Sequence, residues 1–213
     1  MPNKKMLNSK AIFLTDKIRS QLKKIPLYSC TVIEAPMGYG KTTAVREYLK
    51  NSHRSIMWQK CFSNSISGFW SMFCRQFREI DAAQAERLLQ LGFPSDSTTK
   101  EKALDLIQGA LPSGGTIWVL DDYHLIDCPE TAGFIEHLLW NELPGFHIVL
   151  TARYISFIKL EEMTLKGYVN HVQKDSLELS PEDIVSYYRL CGFAPEEKEI
   201  HWLYSYTEGW ISA

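Results

Sequence analysis

Val32–Leu49 reads VIEAPMGYGKTTAVREYL, and its character changes twice along the way. An apolar run of strand type gives way to a loop with two glycines, and a lysine then opens an amphipathic stretch. Glycine lets a backbone curl tightly. A helix that starts just beyond such a curl points its free N–H groups and the positive end of its dipole back into it. A phosphate suits that junction.

The phosphate-loop pattern G-x-x-x-x-G-K-[ST] is met from Ala35 to Thr42, with alanine in place of the first glycine. Gly38 and Gly40 fall where the main chain must close around a β-phosphate, with Tyr39 between them and Thr43 just past the motif. Lys41 is spaced to reach the β- and γ-oxygens, and Thr42 to offer its hydroxyl to Mg²⁺. These six residues, together with Arg153 at a later strand end, are the nucleotide-binding candidates, and Thr42 doubles as a metal ligand.

Two further strand ends complete the set. TIWVLDDYHLI is an apolar run that closes on Asp121 and Asp122. An acid there lies beside the phosphate loop if the two strands are neighbours, where it holds Mg²⁺ through water. Side chains alternate along a strand, so the two acids cannot serve one ion alike. Asp121 is assigned to the metal and Asp122, as the catalytic candidate, to orienting or deprotonating an attacking water. HIVLTAR ends on Arg153, a cation on the edge where ligands collect in open α/β sheets, placed to sense a γ-phosphate.

The remaining runs fit an α/β chain. Strands are predicted at 28–35, 55–61, 116–122, 146–152 and 168–173. Several are apolar at consecutive positions, as in a parallel sheet covered on both faces. Thr98 and Glu101 read as a capping box, Asp127 and Pro129 as a helix start, and Ser180-Pro181-Glu182-Asp183 as another, with Gly192 as its stop. The stripe Ile66, Phe69, Trp70, Phe73, Phe77 has helical spacing and reads as a core face. Glu161-Glu162 and Glu196–Glu199 read as solvated helix faces. The fold class is a three-layer P-loop NTPase sandwich with a mostly parallel five-stranded sheet over residues 1–174. Residues 175–213 open a helical subdomain, and YTEGWISA reads as the start of a helix cut short.

Composition narrows the function classes. The 213 residues are 45% hydrophobic, ample for a core, and the net charge of -2 gives this segment no basic surface for nucleic acid. No apolar run reaches the roughly eighteen residues of a membrane helix, and no signal peptide is visible. The five cysteines are widely spaced without a CxxC pair, which points to buried thiols in a reducing cytoplasm. No NKxD tetrad follows the loop to read guanine, and nothing defines a kinase acceptor pocket.

APMGYGKTT, VLDDYHLI, IVLTAR, LELSPEDI and EGW, in this order and at similar spacing, resemble the large LuxR-type transcriptional activators of the maltose-regulon-activator kind, in the STAND class of signal-transduction ATPases. The resemblance runs from about Leu22 to Ala213. It implies an ATP/ADP-operated module that rests with ADP, binds ATP with Mg²⁺, self-associates, and resets by slow hydrolysis. DNA binding would belong to a C-terminal helix-turn-helix domain outside this chain. It puts Gly38, Gly40, Lys41 and Thr42 on the phosphate loop, Asp121 and Asp122 on the metal site and Arg153 on the sensor. Glu208-Gly209-Trp210 falls on an element near the base, with Ile211 where many relatives have proline. An AAA+-type motor or loader ATPase, or a docking module that keeps the fold and uses its aromatic stripe, are the competing expectations.

Overall fold

The structure, a computed structural model, describes residues 12–62 and 65–210. Five strands form one sheet: β1 (Cys30–Glu34), β2 (Ser55–Lys60), β3 (Thr116–Asp121), β4 (Phe146–Ala152) and β5 (Val169–Gln173). Their order across the sheet is β2-β3-β4-β1-β5, and all four pairings are parallel. Every predicted strand is present; β4 matches its predicted range and the other four are trimmed by a residue or two at one end or both.

The consecutive apolar runs are explained by two covered faces. Trp118 and Leu120 of β3 point into one core, with Met57, Ile148 and Leu150. Ile117 and Val119 point into the other, with Ile33, Val149 and Val172. The first core is roofed by α3 (Ile66–Phe77), α4 (Ala82–Leu91), α5 (Ser97–Gln108) and α6 (Pro129–Trp140). Phe69, Trp70, Phe73 and Phe77 of the expected stripe are buried there, and the Phe73 and Trp118 rings lie 4.7 Å apart. The second core is covered by α1 (Asp16–Leu22) and α2 (Lys41–Leu49), which begins at the lysine of the phosphate-loop motif.

Helix starts differ in detail from the sequence reading. The capping box of α5 is Asp96 with Thr99, not Thr98 with Glu101; the Asp96 carboxylate accepts the Thr99 N–H at 2.9 Å. Cys128 rather than Asp127 caps α6, while the Asp127 carboxylate accepts the Ser156 N–H at 2.6 Å. The acidic pair Glu161-Glu162 lies on the short α7 (Leu160–Leu165).

Beyond the sheet come a 3-10 turn (Lys174–Ser176), then α8 (Pro181–Leu190) and α9 (Glu197–Thr207). Ser180 and Asp183 cap α8 reciprocally, as expected. Leu179, Ile184 and Ile200 form a small separate core. The TEGW segment closes α9 instead of opening a helix: Glu208 and Gly209 take positive φ values of 49° and 79°, which no helix propagates. The rest of that expected helix, with Ile211, lies outside the described residues.

Candidate nucleotide site

The motif residues meet at the C-terminal edge of the sheet. After β1 the chain turns through Gly38 and Gly40, both with positive φ, at 87° and 74°. These are conformations open to glycine at little cost. Gly40 is the N-cap of α2, so the first N–H groups of that helix face the turn. The Lys41 ammonium is buried beneath it and donates to the carbonyls of Ala35 at 2.6 Å and Pro36 at 2.8 Å. Burial lowers its pKa, the nearby Asp122 charge opposes that shift, and Arg153 adds to it.

Thr42 donates its hydroxyl to Asp121 Oδ1 at 2.7 Å. The expected route to this meeting was strand adjacency, and that expectation is corrected: β4 lies between β1 and β3. Asp121 is reached because α2 begins above the strand ends, with Thr42 in its first turn. The intervening strand contributes a residue of its own, since Thr151 of β4 also donates to Asp121 Oδ1 at 2.7 Å.

Asp122 is not the next strand residue, as the argument from alternation required. The strand stops at Asp121, and Asp122 turns to the left-handed region, φ 60° and ψ 41°, at the head of a 3-10 turn (Tyr123–Leu125). Its N–H donates to the Thr151 hydroxyl at 3.2 Å. Arg153 is exposed just past β4 and places a guanidinium nitrogen 3.4 Å from the Met37 sulfur, against the phosphate loop. His124 lies edge-on to Tyr154 with its Nδ1 buried and unpartnered among the described residues, and burial lowers its pKa.

Two features beside the loop were not anticipated in this form. A cavity of about 220 Å³ lies between the segment before α1 and the head of α2, lined by Phe13, Thr15, Tyr39, Thr43, Ala44 and Tyr187. Tyr39 and Thr43 thus face this hollow. The Trp210 indole packs on Gly38 so closely that a Cβ at Gly38 would stand 2.6 Å from its nitrogen. Thr151 was missed; the nearest signal in the sequence is a hydroxyl two residues before Arg153, near the end of β4.

Thr42 and Asp121 are hard oxygen donors to a common point, a donor set that fits Mg²⁺. No group of three His, Cys, Asp or Glu side chains able to hold a metal occurs among the described residues. Mg²⁺ asks for no such cage, because it keeps its waters and takes oxygens from a bound phosphate.

An all-parallel sheet in this order, with a glycine turn leading into the helix over a buried lysine, decides the architecture. It is a P-loop NTPase fold. By sequence the chain matches no family model and no curated protein. Among solved structures it is similar to a Signal Transduction ATPase with Numerous Domains (STAND) protein with a tetratricopeptide repeat sensor from Pyrococcus horikoshii. The two are 19% identical at a TM-score of 0.71, over 94% of this chain and 28% of that one. It is also similar to a Walker-type ATPase of Pyrococcus abyssi, 14% identical at a TM-score of 0.57, over 96% of this chain and 66% of that one. This chain therefore spans under a third of the length of the STAND protein. Among its described residues no helix is long and apolar enough to cross a membrane.

Proposed function

We propose that this chain is the ATP/ADP-binding switch module of a cytoplasmic LuxR-type transcriptional regulator of the STAND class, spanning a nucleotide-binding domain (1–174) and the start of a helical subdomain (175–213). The observation that carries the nucleotide reading is the Lys41 ammonium held under a turn of two left-handed glycines, with Thr42 and Asp121 joined beside it. Lys41 leaves one or both carbonyls for a β- or γ-oxygen, and the amides of residues 38–43 enclose the diphosphate. The base enters the cavity between Thr15, Tyr39 and Tyr187.

Thr42 and Asp121 would hold Mg²⁺, which would supply charge neutralisation at the phosphates. Asp122 orients the attacking water in a slow hydrolysis that resets the switch. Arg153 reads the γ-phosphate. The contact of Trp210 with Gly38 supports a link between the loop and the helical segment. In this reading the ATP state self-associates. DNA contact belongs to a part of the regulator outside this chain.

Titration of ADP, ATP and GTP into the wild type, Lys41→Ala and Arg153→Ala tests the reading. A charge-assisted hydrogen bond contributes about 1.5–3 kcal/mol, so Lys41→Ala should weaken both adenine nucleotides roughly 10–100-fold. Arg153→Ala should keep ADP affinity and lose preference for ATP. Indifference to all three nucleotides in the wild type, or full binding by Lys41→Ala, overturns it.

A further inference from the structure

β4 separates the strand that feeds the phosphate loop from the strand that ends in Asp121, so a link between them crosses β4. Thr151 stands at that crossing, with no exposure to solvent. It points to the α2 side of the sheet, since Val149, two residues earlier, packs in the core beneath α2. A buried hydroxyl is costly unless it is paired. Here both its capacities are used: it donates to Asp121 Oδ1 at 2.7 Å and accepts the Asp122 N–H at 3.2 Å.

The two bonds act on different things. The first fixes the carboxylate against rotation, and it persists if Thr42 swings away to another ligand. The second holds the amide of a non-glycine residue in the left-handed region, a conformation that survives only where neighbours enforce it. Valine has nearly the same shape and could do neither.

We propose that Thr151 is a positioning residue that sets the Asp121 carboxylate for a divalent cation and pins Asp122 in its turn. This rests on the nucleotide reading above. The cation's contribution to nucleotide affinity then depends on a residue that touches neither cation nor nucleotide.

The test is ADP affinity of the whole chain measured twice, with Mg²⁺ and with EDTA, for wild type, Thr151→Val and Thr151→Ser. Removing the partner of a metal ligand typically costs roughly 10–100-fold in metal affinity. Thr151→Val should lose Mg²⁺-dependent affinity by that factor while its EDTA affinity stays at the wild-type level, and Thr151→Ser should restore the gain. A residue that merely filled space would leave the ratio unchanged. An unchanged Mg²⁺ gain in Thr151→Val, or a serine variant as impaired as the valine one, overturns the inference. If Thr151→Val fails to fold by circular dichroism, Thr151→Ala against Thr151→Ser decides it, and equal Mg²⁺ gain in both is the overturning result. A wild type that binds ADP under neither condition removes the nucleotide reading, and this inference with it.

Discussion

Gly38 is the residue with the tightest demands on it. Its φ of 87° lies in the left-handed region, and the Trp210 indole occupies the place where a side chain would begin. Gly38→Ala therefore carries two penalties. The backbone one is about 1–2 kcal/mol, and overpacking against the indole adds roughly 1–3 kcal/mol. Gly167 separates them, because it has a φ of 81° and its Cβ would meet nothing within 4 Å. Urea unfolding should show Gly38→Ala losing clearly more stability than Gly167→Ala. Equal losses would mean that Trp210 yields freely and grips nothing. At this scale the site was unevenly legible. The meeting of Lys41, Thr42 and Asp121 at one edge of the sheet was readable from the spacing of the phosphate-loop motif and the acids at a strand end. Thr151 was not, since its role depends on which strand lies between two others, a fact that local spacing does not carry.

The elements themselves follow from local chemistry more faithfully than their ends do. Apolar runs buried on both faces located the central strands β3 and β4, because alternation is lost where helices cover both sides. Helix starts were harder, as several neighbouring residues can cap. Asp96, two residues before Thr98, won at α5 because its carboxylate meets the Thr99 N–H squarely. The helix α4 has no apolar stripe beyond Ala85 and Leu88 in its core, and its start rests on Asp81, whose carboxylate accepts the Gln84 N–H at 2.9 Å. Asp81→Ala should cost about 1 kcal/mol in chemical denaturation, while Asp81→Asn, which keeps an acceptor, should stay close to wild type. A loss of the same size in both variants would trace the effect to the charge instead of the cap.

For the whole molecule the proposed switch raises the question of how one phosphate would reorder a helical segment. Nucleotides shift two arrangements only by binding them with different affinity. Reversing a population from 1:99 to 99:1 takes about 5.5 kcal/mol. Bonds from Lys41 and Arg153 to a γ-phosphate, at about 1.5–3 kcal/mol each, are of that order. The helical segment touches the loop directly: the Leu179 N–H donates to the Gly209 carbonyl at 3.0 Å and the adjoining Trp210 rests on Gly38. In the proposed switch, a loop that closes on a phosphate would move the floor under that indole.

The most direct measurement is a crystal structure of the chain with ADP and Mg²⁺. The diphosphate should lie inside the turn of residues 38–43, with the Lys41 ammonium drawn to a phosphate oxygen and the Thr42 hydroxyl shifted from Asp121 toward the cation. ADP bound elsewhere, or a loop unchanged with Lys41 still tied to Ala35 and Pro36, would contradict the account.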